Sequence, residues 1–361
     1  MVMPDGHVQP CCYNGRDMGN INQSDFEAIW NGGAYRELRA SLLAGDYQGA
    51  GCGDCALYAR SGWTPEQVTQ SRLGFAHGTP QQLGNAQLAA REISEGRTCV
   101  ESRPAALALE LSQACNFDCT FCFQEDKLLG IRGDRVRSIV NECLPTVREL
   151  IMTGGDPFAY KENVEILRAL SAEQAKHMSV EFYTNGALLD RHWDLIERFD
   201  NVFMVVSLHS LVNETYQRIM GSKDPVERAL RNIDRFLATA KSKPNWRLSL
   251  TNIVMRSTLG EIKNLARFAI ERNAAVSFVH MHGQYEENIY LRPELIEDRR
   301  ALRTEITEAI ALLESAGPQY ASAVANLRFI EGMLFTRPTL GSRLNTTVRK
   351  LYDWRKKAPA A

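Results

Sequence analysis

The chain has 361 residues, of which 44% are hydrophobic and 24% charged, and its formal net charge is −1. This is the composition of an ordinary globular protein, which at this length buries enough surface to fold without disulfides. A near-neutral charge excludes a broad basic surface for nucleic acid or an anionic membrane. No apolar run approaches the roughly 18 residues of a membrane helix. We therefore expect neither a nucleic-acid nor a membrane partner.

The cysteines indicate a reducing environment. The chain has nine cysteines, an odd number, and its first residues show neither the charged nor the apolar region of an export signal. Such a set argues against a disulfide framework and for thiols that bind metal or do redox chemistry. We expect a cytoplasmic protein.

The first hundred residues form a region distinct from the rest. One helix is expected over residues 24–43, where Ser24 and Glu27 resemble a capping box, and a second near "TPEQV" at residue 64. Loop-like composition at residues 94–104 predicts a boundary. We expect an N-terminal module over residues 1–100, a core domain over 101–318 and a helical C-terminal extension over 319–361.

The core domain alternates short apolar strands with amphipathic helices. "DPVERALRNIDRFL" predicts a helix with Asp224 as N-cap and Pro225 at its first position, and Thr258 with Glu261 predicts the start of another. Repeated strand–helix units predict an α/β fold with a parallel sheet. Periodicity alone is compatible with an open doubly wound sheet or a partial (β/α) barrel. The six predicted strands are residues 106–111, 148–153, 179–184, 201–208, 247–254 and 275–281.

The segment "CNFDCTFC" places Cys115, Cys119 and Cys122 directly after the first core strand. Reactive groups of parallel α/β folds lie at this carboxyl end of the strands. A structural zinc needs a closed set of four ligands, which this triplet does not supply. Three thiolates can instead hold three irons of a 4Fe–4S cube and leave the fourth iron open. The alternatives are three surface thiols or part of a zinc site.

This segment resembles the Cys-x3-Cys-x-aromatic-Cys signature of the radical S-adenosylmethionine (SAM) superfamily, and the likeness extends over roughly residues 100–316. The resemblance implies a partial (β/α)6 TIM-like barrel and a 4Fe–4S cluster held by Cys115, Cys119 and Cys122, whose open iron is chelated by SAM. It also implies that Phe121 lies near the adenine. The implied reaction is reductive cleavage of SAM to a radical that abstracts hydrogen, with the electron coming from an external donor such as flavodoxin or ferredoxin.

Three further segments resemble the SAM pocket of this family. "TGGDP" resembles the segment that binds the methionyl ammonium, with Gly154 and Gly155 allowing close backbone approach and Asp156 in place of the more usual Glu. "YTNGALL" and "VSLHS" end the third and fourth strands and resemble segments that line the pocket. They make Asn185 and Ser207 candidates for hydrogen bonds to SAM. Each of these residues alone is also compatible with a structural role.

The N-terminal cysteines resemble the auxiliary-cluster modules called SPASM or twitch domains. Cys11 follows Gly6 at the family's spacing, and "CGDC" supplies Cys52 and Cys55. The resemblance implies an auxiliary 4Fe–4S cluster, although here the module precedes the barrel instead of following it. A further cysteine expected before Gly6 is missing. Because adjacent cysteines rarely ligate one cluster together, we favour Cys11 over Cys12, and a zinc site built from all four is the alternative.

The substrate is not specified by the sequence. His280 and His282 lie on one face at the end of the sixth predicted strand and could contact the substrate, and Tyr285 and Glu286 are candidates to donate or accept a proton. The basic residues within 343–357 fit a solvated helix face, with a phosphate or a carrier peptide as the alternative partner. The resemblance favours an oxidoreductase-type enzyme that acts on a peptide, like a peptide maturase. The alternatives are an enzyme acting on a sugar or another small molecule, and a non-catalytic iron–sulfur or zinc scaffold.

Overall fold

A computed structural model describes residues 1–53, 67, 73–74, 76–124, 126–131, 133–282, 288–291 and 295–334. The chain forms two compact units. One comprises residues 1–252 and 268–276, and the other comprises residues 253–267 and 277–361.

A six-stranded sheet forms the centre of the fold. Its strands lie side by side in chain order, and β3 to β7 pair in parallel. When parallel strands follow one another in chain order and every crossover is right-handed, all the connecting helices lie on the same face of the sheet. This is the topology of a barrel. A doubly wound sheet would reverse its order. The predicted partial (β/α)6 barrel is confirmed. The strands are β3 Ala106–Leu109, β4 Glu149–Met152, β5 Ser179–Thr184, β6 Asn201–Ser207, β7 Asn245–Val254 and β8 Ala275–His280.

The two faces of the sheet differ in burial. Alternate side chains such as Leu150, Phe182 and Met204 are fully buried and form the core on the helical side. The side chains between them face the opposite way and are partly exposed, with Tyr183 at 42% and Phe203 at 37%. We call this second surface the inner face, because in a barrel it lines the lumen.

Ten helices among the described residues precede or connect these strands. The helix expected over residues 24–43 is divided at Asn31–Gly32. The Asn31 side chain exchanges two hydrogen bonds of 2.9 Å with the backbone of Val100, and this competes with continuation of the helix. The helices are α1 Phe26–Trp30, α2 Gly33–Leu43, α3 Pro80–Ser94, α4 Asp134–Glu142, α5 Lys161–Ala169, α6 Ala172–His177, α7 Trp193–Ile196, α8 Asn213–Met220, α9 Val226–Ala240 and α10 Ile262–Glu271.

Two predicted helix starts are wrong in detail. Helix α9 begins at Val226 instead of Pro225, and the Asp224 carboxylate pairs with Arg228 at 3.0 Å. The expected capping box of Thr258 and Glu261 does not form at α10, where the Glu305 side chain accepts from the backbone N–H groups of residues 260, 262 and 263. At α9 the competing partner is local, four residues along the helix, whereas at α10 a carboxylate more than 40 residues away replaces the local cap. The helix expected near residue 64 lies outside the described residues.

The N-terminal segment extends the sheet. Strands β1 His7–Val8 and β2 Gly19–Asn20 form a small antiparallel hairpin. Val2 bridges in parallel to Leu109, donating its N–H to the Ala108 carbonyl and accepting from the Glu110 N–H, both at 2.9 Å. Edge strands expose unpaired backbone groups, so this segment covers the free edge of β3.

The second unit contains the helices after the barrel. Helix α11 Ile296–Ala316 packs on α12 Ala321–Leu334 across a short turn at Pro318–Tyr320, burying Leu313 and Leu327 between them. The helical C-terminal region is therefore confirmed. Within the described part of the chain, no helix combines the length and apolar character needed to cross a membrane.

Candidate functional site

The cysteine triplet lies on the loop after β3, at the carboxyl end of the strands, and the neighbouring loops hold it in place. Gly155 donates its N–H to the Ser112 carbonyl at 3.0 Å, and Asp156 donates to the Ala114 carbonyl at 2.9 Å. On the far side, the Thr120 N–H donates to the Ile219 carbonyl at 3.0 Å. Backbone hydrogen bonds thus fix this loop just before Cys115 and again at Thr120, where the acceptor lies in the last turn of α8.

Gly154 and Gly155 permit this close approach. A Cβ on Gly155 would lie 2.0 Å from the carbonyl oxygen of Ala114, a separation that no folded protein tolerates. Gly154 has φ +116°, and its Cβ would lie 2.4 Å from the Ser112 carbonyl oxygen. The two glycines therefore bring the loop after β4 into contact with the cysteine loop.

Hydrogen-bond donors surround two of the thiols. The sulfur of Cys115 accepts from the Phe117 N–H at 3.4 Å and from the Asn185 side-chain amide at 3.7 Å. The Lys127 ammonium lies 3.6 Å from the Cys122 sulfur. Donors placed on sulfur stabilise its thiolate form, which is the form that binds metal. These surroundings suit metal-bound thiolates.

Burial opposes ionisation of the free thiols. It raises the pKa of Cys115 to about 11 and that of Cys119 to about 12, with neighbouring negative charges acting in the same direction. Thiols with such pKa values are protonated near neutral pH. Cluster binding must therefore release protons, as metal binding to cysteine generally does.

The chemistry of the loop fits a 4Fe–4S cluster. Three thiolates are soft ligands of the kind that iron–sulfur clusters use. The Tyr216 hydroxyl is buried without a hydrogen-bond partner, and the nearby Cys119 thiolate contributes to its raised pKa. A cluster would give this hydroxyl an acceptor. Among the described residues, no three His, Cys, Asp or Glu side chains converge as ligands of a single metal ion would.

Asp156 ties the ends of β4 and β5 together. Its side chain is only 1% exposed. One carboxylate oxygen accepts from the Thr184 hydroxyl at 2.7 Å and the Asn185 N–H at 3.0 Å, and the other accepts from the Phe158 N–H at 3.0 Å. Burial raises the pKa of this carboxyl group. The carboxylate is thus engaged by the protein itself.

Asn185 lies against the cysteine loop. Its side-chain amide donates to the Asn116 side-chain oxygen at 2.8 Å, in addition to its contact with Cys115. Ser207 ends β6 and is paired in register with Thr251 of β7. Both predicted residues therefore lie at the carboxyl ends of the strands, on the same edge of the sheet as the triplet.

A buried histidine supports Phe121. The ring of His209 contacts the Phe121 ring in a T-shaped arrangement with centroids 4.9 Å apart. His209 is 2% exposed, and burial lowers its pKa to about 3, so the ring is neutral. Sequence reasoning named Ser207 in this segment but not His209. The signal was available, because a histidine two residues beyond a strand end is placed at the reactive edge of the sheet.

The N-terminal thiols are more open. Cys11 and Cys12 are exposed on the loop between β1 and β2, whereas Cys52 is half-buried. Cys52 and Tyr35 both line a cavity of about 340 Å³. Burial raises the pKa of Tyr35, and a nearby Cys11 thiolate raises it further. Cys55 lies outside the described residues.

The inner face of the sheet carries a polar cleft. A cavity of about 410 Å³ is lined by Glu149, Glu181, Phe203 and Arg247 among others. The strand registers align Glu181 with Phe203 and Phe203 with Arg247, so these three lie at one level. Tyr183 lies two residues further along β5, and its pKa is raised by burial and by its hydrogen bond to Glu181. The cavity lies at the amino-terminal ends of the strands, whereas the cysteine triplet lies at their carboxyl ends.

His280 is the last residue of β8, and His282 lies two residues beyond it. The rings of His280 and His282 have centroids 4.0 Å apart, and burial lowers the pKa of His280. Their contact with a substrate stays a prediction. Tyr285, Glu286 and the basic residues after 334 lie outside the described residues.

Comparison with known proteins identifies the two parts of the chain. Residues 109–269 match the radical SAM superfamily, and residues 1–56 match SPASM, an iron–sulfur cluster-binding domain. The chain therefore carries a radical SAM domain, and a SPASM domain precedes it in the sequence. Its cofactors are SAM and 4Fe–4S clusters, as these two domains require.

Curated relatives are similar over part of their length. A GTP 3′,8-cyclase from Synechocystis sp. is 27% identical over 195 residues, covering 51% of this chain and 57% of the relative. A probable GTP 3′,8-cyclase from Sulfurisphaera tokodaii is 30% identical over 171 residues, covering 46% and 52%. The chain thus spans somewhat more than half of each of these relatives.

Two solved structures are similar to this chain at low sequence identity. Streptococcus suis SuiB bound to S-adenosylmethionine matches with a TM-score of 0.41 and 16% identity, over 75% of this chain and 63% of that one. The structure titled anSMEcpe with bound AdoMet matches with a TM-score of 0.41 and 15% identity, over 58% and 60%.

Proposed function

We propose that this enzyme binds a 4Fe–4S cluster through Cys115, Cys119 and Cys122, cleaves SAM reductively there, and abstracts hydrogen from a peptide. The observation that carries the proposal is the thiol loop itself, fixed at the carboxyl edge of the sheet with N–H donors on its sulfurs. Cluster and SAM together supply the radical that takes the hydrogen atom. A one-electron donor such as flavodoxin or ferredoxin would deliver the electron.

The residues of the strand ends would bind and orient SAM. Asn185 and Ser207 offer hydrogen-bonding groups, Phe121 offers a ring face or edge to the adenine, and the backbone of Gly154 and Gly155 faces the ammonium group. Because the Asp156 carboxylate already accepts three hydrogen bonds, we assign it a positioning role. It would hold the Asn185 backbone where the side chain reaches both the cysteine loop and SAM.

The N-terminal module would hold the auxiliary cluster. Cys11, Cys52 and Cys55 are the proposed ligands, with Cys12 or an outside group completing the set, and a zinc site remains the competing proposal. The cavity beside Cys52 provides room for a cofactor next to β3. On this proposal residues 1–100 form the auxiliary module, 101–318 the radical SAM core and 319–361 an extension.

The peptide substrate is proposed from the resemblance of the sequence to peptide-modifying enzymes of this family. The charged cavity that includes Glu149, Glu181 and Arg247 lies at the amino-terminal ends of the strands, away from the cysteine loop, and does not bear on this choice. A second candidate, a nucleotide or another small molecule, is supported by the similarity to GTP 3′,8-cyclases.

The test is anaerobic reconstitution followed by incubation with dithionite and SAM, with 5′-deoxyadenosine measured by mass spectrometry. We expect product from the wild type and none from Cys122→Ala. Cys99→Ala is the matched control, because Cys99 is exposed and belongs to neither cysteine group. Iron-loaded wild-type protein that makes no product would contradict the catalytic proposal and favour a scaffold.

The substrate class is tested in the same assay by adding GTP. On the peptide proposal GTP does not accelerate SAM cleavage, and GTP deuterated at its ribose carbons transfers no deuterium to the 5′-deoxyadenosine. A GTP-dependent burst of 5′-deoxyadenosine would replace the peptide with a nucleotide substrate and leave the cluster assignment intact.

A further inference from the structure

A short turn after the cysteine triplet presents one cation to the site. The Leu129 N–H donates to the Asp126 carbonyl at 3.1 Å, and the Leu128 N–H donates to the Asp126 side chain at 2.9 Å. These two bonds close a turn around Lys127. The conformation of the backbone at Lys127 is therefore fixed locally.

The same turn is tied to the start of the cysteine loop. The Asp126 N–H donates to the Gln113 side-chain oxygen at 3.1 Å, and the Gln113 N–H donates to the Leu129 carbonyl at 3.0 Å. The Ser112 hydroxyl also donates to the Leu129 carbonyl at 3.0 Å. Lys127 is thereby held at a set distance from the thiols, unlike a lysine on a free surface loop.

The Lys127 side chain uses this position to reach a cluster ligand. Its ammonium nitrogen lies 3.6 Å from the Cys122 sulfur, in a half-buried environment. Among the described residues, the donors to the Cys115 sulfur are the neutral groups of Phe117 and Asn185, and the Cys119 sulfur lies 4.0 Å from the Met220 sulfur. Cys122 thus differs from the other two thiols by having a charged donor.

A cation at this distance changes the balance between the two oxidation states of a cluster. One-electron reduction adds a negative charge that is shared with the ligating sulfurs. A nearby ammonium stabilises that charge, more strongly in a half-buried site than in water. Net charge and hydrogen bonds to the sulfurs are among the factors that set cluster potentials.

We propose that Lys127 raises the reduction potential of the cluster held by the triplet, acting through the Cys122 sulfur. The inference rests on the proposed function, because it requires the 4Fe–4S cluster on Cys115, Cys119 and Cys122. The external one-electron donor supplies the electron, and no bond to Lys127 forms or breaks. Lys127 therefore makes the cluster easier to reduce before SAM is cleaved.

The test is a redox titration of the reconstituted full chain, followed by electron paramagnetic resonance. The signal of the open-iron cluster is assigned by its change when SAM is added, which separates it from the auxiliary cluster. In Lys127→Met we expect the reduced-to-oxidised ratio at the wild-type midpoint to fall about tenfold, equivalent to a shift of about 59 mV to more negative potential. Lys127→Arg keeps the charge and should remain near wild type.

Lys161→Met is the matched control, since Lys161 lies on α5 with its side chain 82% exposed and pairs with Glu165 on the same helix. A Lys127→Met midpoint equal to that of the wild type, at equal iron content, would overturn the role of Lys127 and leave the cluster in place. A wild-type signal that does not respond to SAM would overturn the proposed function and the role of Lys127 together.

Discussion

The thiols after β3 and the thiols of the N-terminal hairpin differ in how much of the fold surrounds them. Cys115, Cys119 and Cys122 are half-buried on a loop that is bonded to the loop after β4 and to the last turn of α8, whereas Cys11 and Cys12 are exposed. A cluster with an open position on one iron has only three protein ligands, so the fold must hold those ligands in place. A fully coordinated cluster can order its own ligands when it binds. The difference is what we expect of a reactive and a structural cofactor.

The largest expected effect separates the two cysteine groups by function. Cys122→Ala should abolish 5′-deoxyadenosine formation, because the cluster proposed there would lose one of its three ligands. Cys11→Ala should lower the iron content while some SAM cleavage persists, since on our proposal SAM binds at the other cysteine group. Iron analysis and mass spectrometry of the product measure both. Equal loss of SAM cleavage in the two variants would contradict the division of roles.

The next effect concerns the glycines that hold the loop. Gly155→Ala should lower the free energy of unfolding by about 3 kcal/mol, because the new methyl group would overlap the Ala114 carbonyl. Gly84→Ala in α3 meets no atom within 4 Å and should stabilise by about 1 kcal/mol. Denaturant unfolding of the two variants gives the comparison. A Gly155→Ala protein as stable as wild type would show that the loop can move aside.

A smaller effect depends on pH and belongs to the barrel. The folded-state pKa of His209 is lowered to about 3 from 6.5, so the unfolded chain binds the extra proton between these values. Stability is therefore lost as the pH falls below 6.5, by about 1.4 kcal/mol per pH unit from this residue. His209→Leu should remove that share of the dependence. If the free energies of unfolding of the two proteins fell equally between pH 7 and pH 5, this prediction would be contradicted.

The smallest effect has the opposite sign and belongs to the N-terminal hairpin. A hydrogen bond to Asp5 at 3.0 Å raises the pKa of His7. Its stabilising contribution is complete below pH 6.5 and is lost as the pH rises through the raised value. Because His7 is 45% exposed, solvent screening keeps the contribution small. Thermal unfolding of His7→Gln should approach wild type at pH 8, and a growing difference there would contradict this.

The strands and the reactive loop could be predicted from local sequence. Six continuous apolar runs gave strands that begin and end within about two residues of the observed ones, because strands buried on a helical face need such runs. Helix α3 was missed although its start is marked by Thr79, Pro80 and Gln82, which form a capping box in the structure.

Other features required contacts between distant residues. The division between α1 and α2 depends on Asn31 bonding to Val100, and the start of α10 depends on Glu305. The engagement of Asp156 with Thr184 and Asn185 joins two strand ends 28 residues apart. No local pattern contains these partners.

Local sequence was enough to place three thiols directly after the first of six buried strands, and their spacing favoured an iron–sulfur site over a structural zinc. The choice between a barrel and an open sheet required the folded chain, because strand order depends on which strands pair and not on where they lie in the chain. The folded chain also places Lys127 beside Cys122 and Asn185 beside Cys115. Asn185 makes its contact from 70 residues away because the folded backbone brings separate loops to one edge of the sheet.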